Sequence, residues 1–147
     1  MLVPRARVAV MALALGVAGW ASSARAGEAW VCPDAERAKP NPLAASAENL
    51  KHGGEVFGSN CAVCHGPQGK GDGPLAGLHA TRTSERPRDL SEAALQKRLT
   101  DGEIFWKIGA GLKRGDQVIM PSFEKAMSGE DRWKVVLFVR SLAAPAR

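Results

Sequence analysis

The most informative stretch of this sequence is Cys61-Ala62-Val63-Cys64-His65, because it indicates the kind of site that the fold must hold. Its two thiols are separated by two residues, so each can add across one vinyl group of a single haem, and the imidazole that follows can bind the iron. The CxxCH pattern therefore predicts covalent haem attachment through Cys61 and Cys64, with His65 as an iron ligand.

A CxxC pair also occurs in zinc sites and in redox disulfides. A zinc site needs two more ligands, and the remaining Cys32, His52 and His79 show no paired ligand spacing. A thioredoxin-like pair belongs to a strand-to-helix turn in an alternating βαβ pattern, and no run of β-branched residues precedes Cys61. The histidine at 65 favours haem attachment over both alternatives.

Length and charge restrict the possible classes of protein. With 147 residues, 45% of them hydrophobic, the chain can bury one core. The net charge of +5 includes three arginines within residues 1–26, and the remainder carries 17 basic and 15 acidic residues. Two haem propionates would cancel that excess, and no basic face with interleaved aromatic residues is visible. We therefore expect neither nucleic-acid binding nor a polybasic membrane patch.

The N-terminus has the pattern of an export signal. Residues 1–7 are basic, residues 8–18 are apolar, and residues 24–26 read Ala-Arg-Ala, with small residues where a signal peptidase cleaves. An uncleaved anchor is the alternative, but the apolar stretch is shorter than the roughly 20 residues that span a bilayer. The sequence predicts a signal peptide over 1–26, a periplasmic protein, and no stable membrane insertion of the mature chain.

Residues 27–46 form a proline-rich extension. Pro33, Pro40 and Pro42 predict an ordered but irregular segment and not a helix. Cys32 lies within it, and its neighbours Trp30 and Val31 do not match the small residues that precede a lipidated cysteine. A free thiol and a thiol bonded to a partner both remain open for Cys32.

A helix is predicted to run up to Cys61. Ser46 can cap its start, and Leu50, Gly53, Gly54 and Phe57 share one face. Each glycine costs about 1 kcal/mol of helix propensity, which indicates that another backbone approaches closely there. A C-terminal helix is the expected partner.

The chain after the motif alternates between loops and capped helices. Glycines and prolines fill residues 66–87, as expected of a flexible loop or of a chain wrapped around a flat macrocycle, and the CxxCH favours wrapping. Helices are predicted to begin at Ser91, Thr100 and Ser128, the last ending near residue 142. Residues 112–121 are predicted to form a loop.

Residues 47–142 resemble a class I cytochrome c domain, an all-α fold of about four to five helices around one haem. The resemblance implies one haem c, with Cys61 and Cys64 in thioether bonds and His65 as the proximal iron ligand. It implies Met120 as the distal ligand and Pro74 as the residue whose carbonyl accepts the His65 Nδ1 proton. Residues 47–147 are therefore assigned to a cytochrome c domain. Bacterial cytochromes of this type receive haem outside the cytoplasm, which agrees with the predicted signal.

Four further residues have expected roles in this domain. Met127 precedes a predicted helix and is expected in the core. His79 competes with Met120 as sixth ligand, although a solvated loop histidine is the simpler interpretation, and His52 is expected at the surface. Phe138 is expected to meet the first helix near its glycines.

Iron that is bound by His and Met at both axial positions exchanges electrons but has no vacancy for a substrate. The resemblance therefore implies an electron carrier, not an enzyme, that serves transient redox partners. Lys70, Lys107, Lys113 and Arg114 are candidates for the docking rim, or are scattered surface charge. Two alternatives remain: a dedicated subunit of a larger periplasmic dehydrogenase or terminal oxidase, and a haem enzyme or gas sensor with an open iron.

Overall fold

The computed structural model describes residues 30–143, so the predicted signal peptide lies outside the described residues. Within residues 30–143 the chain is mostly helical and carries one small antiparallel sheet of two strands. The elements are α1 (Asp34–Arg37), α2 (Ala47–Asn60), α3 (Ala62–His65), α4 (Ala76–Thr83), α5 (Ala93–Arg98), α6 (Asp101–Ala110), β1 (Leu112–Arg114), β2 (Gln117–Met120) and α7 (Gly129–Ser141).

Three of the four predicted helix starts are confirmed. The side chains of Ser46, Thr100 and Ser128 cap α2, α6 and α7, and each accepts a hydrogen bond from the backbone N–H three residues later. Ser91 does not cap α5. Its backbone N–H and its hydroxyl both donate to the Asp89 carboxylate, at 2.8 and 2.6 Å, so the hydroxyl is held in a turn before the helix.

The crossing of α2 over α7 forms the centre of the fold. A Cβ at Gly53 would overlap the backbone carbonyl of Lys134, and one at Gly54 would press on the Phe138 ring. The rings of Phe57 and Phe138 lie 5.1 Å apart at this crossing. This confirms the predicted close approach of the C-terminal helix, which explains why two glycines interrupt α2.

The core lies beneath this crossing. It contains Met127, 8% exposed, as predicted, together with apolar side chains of α2, α6 and α7. Its buried members are Phe57, Ile104, Ile108, Met127, Val135, Val136 and Val139.

Arg140 joins the helices that flank the core. Its Nε donates to the Asp101 carboxylate at 2.7 Å, and its other nitrogens donate to the backbone carbonyls of Gln96 and Leu99, both at 2.6 Å. These contacts hold the junction between α5 and α6 against α7.

The N-terminal extension packs on α6. Thr100 Oγ1 donates to the Arg37 carbonyl at 2.7 Å, and Gly102 has no room for a Cβ because the Glu36 carbonyl lies against it. Cys32 is a free thiol and is only 2% exposed. The prediction of an irregular, non-helical segment is wrong over α1, where one helical turn follows the N-cap residue Pro33.

Two elements near the haem motif differ from the predictions. Helix α4 lies inside the segment that was expected to be loop, and residues 112–120 form a hairpin with a bulge between Leu112 and Lys113.

Among the described residues, no helix combines the length and the apolar character needed to cross a bilayer.

Candidate haem site

The CxxCH sequence is presented by two helices that follow one another almost without a break. Helix α2 ends at Asn60, and α3 carries Cys64 and His65 after one turn residue, Cys61. Both thiols are free, and they lie on one helical turn because Cys64 N–H donates to the Cys61 carbonyl at 3.1 Å. This arrangement keeps the two sulfurs and the imidazole on consecutive parts of one short segment.

The Cys61 thiol is kept protonated. Burial, with a smaller effect of the neighbouring Cys64, raises the pKa of Cys61 to about 12. A redox-active dithiol needs a lowered pKa to supply a thiolate, so this environment disfavours the thioredoxin-like alternative. Among residues 30–143, no group of three or more His, Cys, Asp or Glu side chains is arranged to hold a metal ion, so this part of the chain offers no zinc cluster.

The glycine-rich chain after the motif folds back over α3. Backbone N–H groups of Gly71, Gly73 and Leu75 donate to the carbonyls of residues 65, 64 and 63, at 2.8, 3.1 and 2.9 Å. Gly71 has a positive φ of 73°, and a Cβ there would overlap the Pro87 carbonyl. The segment therefore satisfies the carbonyls at the end of α3 and holds the motif in place.

His65 is oriented by a backbone carbonyl. Its Nδ1 lies 3.1 Å from the carbonyl oxygen of Arg88, which only accepts, so Nδ1 carries the proton and Nε2 keeps its lone pair in the neutral ring. Burial lowers the pKa of His65, which favours the neutral form that a metal ligand requires. In this structure the acceptor is Arg88, not Pro74 as predicted, because residues 86–90 return to α3 and Leu90 N–H donates to Gly69.

A cavity of about 470 Å³ opens beside Cys64. Leu75 and Leu78 of the α4 region and Val118 of β2 face it, and these apolar side chains are 44, 52 and 50% exposed. Large apolar side chains that share one cavity and lack a protein cover are typical of a cofactor site. Together with two free thiols and an oriented imidazole, this lining fits a covalently bound haem.

The other predicted site residues lie around this region. Cys61 and Met120 pack against the hydrophobic core, whereas Cys64 lines the cavity. Met120 is the last residue of β2 and is half-buried opposite Leu112. Pro74 is exposed next to Leu75. The CxxCH segment and strand β2 thus both pack against the hydrophobic core. The role of Met120 as an iron ligand stays a prediction.

Two histidines differ in their surroundings. His52 Nε2 lies 2.8 Å from the Asp131 carboxylate, so this partly buried residue joins α2 to α7. The interpretation of His79 as a solvated loop residue is wrong. His79 belongs to α4, is half-buried, and has a carbonyl oxygen within hydrogen-bond distance of each ring nitrogen.

A single CxxCH helix inside a small helical domain, with an apolar cavity beside its second cysteine, defines a class I monohaem c-type cytochrome. The model of the family described as cytochrome c oxidase, cbb3-type, subunit III, matches residues 48–139. The chain belongs to this family. Its covalent haem c and its iron transfer electrons, and the domain is an electron-transfer module, not itself an enzyme.

The fold is also similar to that of a solved structure, a chain of the reducing HAO-like protein complex of Kuenenia stuttgartiensis. The two share 24% identity with a TM-score of 0.55, over 70% of this chain and 47% of that chain. This chain therefore spans about half of the neighbour's length, and the similarity concerns the fold.

Proposed function

We propose that this protein is an exported one-electron carrier whose haem iron is held between His65 and Met120. The observation that carries the proposal is the anchoring of His65 Nδ1 on a backbone carbonyl within a CxxCH helix, 3.1 Å from Arg88 O. A fixed imidazole with a free Nε2 lone pair is the arrangement that axial ligation requires.

Each residue of the site has a separate task. Cys61 and Cys64 would hold the macrocycle by thioether bonds, in which the S–H of each thiol adds across a vinyl group. When bound, haem supplies a one-electron couple between ferric and ferrous iron. Met120 would supply a soft thioether sulfur, which stabilises the ferrous state and raises the reduction potential. Leu75 and Leu78 would exclude water from the cavity wall, which acts in the same direction because the oxidised centre carries more charge.

Redox partners of this carrier would dock transiently, through a small interface near the cavity. Lys70 and Lys113 are exposed and suit a docking rim, and Arg114 is half-exposed but paired with Glu85. Lys107 does not suit it. Its side chain is 19% exposed, and its Nζ binds Glu103 at 2.7 Å.

A dedicated subunit of a larger redox complex is the second candidate. The family description names an oxidase subunit, and the similar solved chain belongs to a protein complex. The N-terminal extension, which is packed on α6, would then be part of the surface that meets the other subunits.

Purification of the native protein from a periplasmic extract tests export and separates the two candidates. We expect a polypeptide that begins at Gly27, carries the mass of one added haem and elutes as a monomer. The variant Ala26→Arg is the control, because it removes the small residue before the predicted cleavage site and should leave residues 1–26 attached. Co-elution of the wild-type protein with a large partner would favour the subunit, and an unprocessed wild-type chain in the cytoplasm would contradict export.

A further inference from the structure

The imidazole of His79 connects α4 to the strand that carries Met120. Its Nε2 lies 2.6 Å from the carbonyl oxygen of Ile119, and its Nδ1 lies 2.9 Å from that of Glu85. The left-handed backbone of Ser84, with φ 60°, ends α4 just before Glu85. Thr83 Oγ1 lies 2.9 Å from the His79 carbonyl oxygen and 3.2 Å from that of Glu85, so its one O–H group braces the same turn. The ring thus faces a carbonyl oxygen at each nitrogen, and with its proton on Nε2 it donates to Ile119, the residue before Met120.

The strand needs such support, because a two-stranded hairpin is marginally stable on its own. The hairpin of β1 and β2 has a bulge near its base and no third strand among the described residues. Two further contacts join it to the end of α4. Gln117 Nε2 donates to the Arg82 carbonyl at 3.0 Å, and Arg114 pairs with Glu85 at 2.5 Å. The hairpin is therefore placed from the α4 side, and His79 makes the contact nearest to Met120.

The chain after Met120 is held separately by α6. Ser122 Oγ donates to the Gly109 carbonyl at 2.5 Å, and Phe123 N–H donates to the Ile108 carbonyl at 3.1 Å. Met120 thus lies between two anchors, one on α4 and one on α6. The anchor on α4 contacts β2 at Ile119, the residue before Met120. A single side chain, that of His79, makes this contact.

We propose that His79 is a positioning residue for the distal ligand. By holding the Ile119 carbonyl, it keeps the Met120 thioether against the iron and opposes entry of competing ligands. This inference rests on the proposed function, since it takes Met120 as the sixth ligand. In this role His79 supports Met120 as the ligand and does not compete with it for the iron, because both ring nitrogens already face carbonyl oxygens.

Binding of exogenous imidazole to the ferric protein measures this role directly, because imidazole reaches the iron only when the thioether leaves it. The variant His79→Phe removes the ring N–H that can donate to the Ile119 carbonyl, and the fraction of open molecules should rise. We expect apparent imidazole binding to become roughly tenfold tighter. Amide hydrogen exchange at residues 118–120 should become faster in the same variant. His79→Gln keeps an N–H donor and should give an intermediate effect, and it replaces His79→Phe if the phenylalanine variant does not fold.

The matched control is His52→Gln. His52 is also a partly buried histidine that joins two elements by a hydrogen bond, but it lies between α2 and α7. It should lose some stability and leave imidazole affinity unchanged. Wild-type imidazole affinity in both His79 variants would overturn the proposal. An affinity that is also unchanged in Met120→Ala would instead show that Met120 is not the ligand, which separates failure of the proposed function from failure of this inference.

Discussion

Replacing Met120 by alanine is expected to open the sixth coordination position of the iron and to lower the reduction potential by on the order of 100 mV or more. The thioether stabilises ferrous iron, and its removal leaves water or an external ligand in its place. The far-red absorption band of a sulfur-to-ferric-iron bond should disappear. Redox titration and an oxidised absorption spectrum measure both effects.

Met127→Ala is the matched control for this experiment. Met127 is 8% exposed in the hydrophobic core, so its truncation should cost about 2–5 kcal/mol of unfolding free energy. The potential and the far-red band should stay near their wild-type values. Loss of the band in Met127→Ala with its retention in Met120→Ala would reverse the assignment of the two methionines.

The second large effect is expected at the crossing of α2 and α7. Gly53→Ala places a methyl group against the Lys134 carbonyl, so α7 must move and the packing of Phe57 on Phe138 is weakened. We expect a loss of about 2–3 kcal/mol or more in the free energy of unfolding. Chemical denaturation of the haem-loaded protein measures it.

Gly58→Ala is the control for the glycine experiment, because Gly58 lies in the same helix and a Cβ there meets nothing within 4 Å. This variant should gain roughly 0.5–1 kcal/mol from the better helix propensity of alanine. Equal changes in Gly53→Ala and Gly58→Ala would contradict a tight crossing at Gly53.

Most features that depend on neighbouring residues were predicted from the sequence, with the cap at Ser91 as the exception. The CxxCH segment is contiguous, and the caps at Ser46, Thr100 and Ser128 bind backbone groups only three residues away. The close approach at Gly53 was also predicted, because a glycine costs helix propensity and therefore indicates a packing requirement when it interrupts a periodic helix.

Apart from the crossing at Gly53, features set by distant contacts were missed. Helix α4 begins at Ala76, and Leu75 before it provides no side-chain cap, so no local signal marks its start. The carbonyl that orients His65 is 23 residues away, and the one that binds His79 Nε2 is 40 residues away. Because the acceptors are backbone carbonyl oxygens, any residue at position 88 or 119 could supply them. The identities of Arg88 and Ile119 therefore do not indicate the contacts. Only the fold reveals them.

The proposed function depends on a covalently bound haem with both axial positions filled by the chain. Exposure of the reduced, purified protein to carbon monoxide at neutral pH tests this claim most directly, because carbon monoxide binds ferrous haem that has an open position. We expect a haem spectrum that carbon monoxide leaves unchanged. Immediate formation of a carbon monoxide complex, or protein without haem after maturation in a competent host, would contradict the claim.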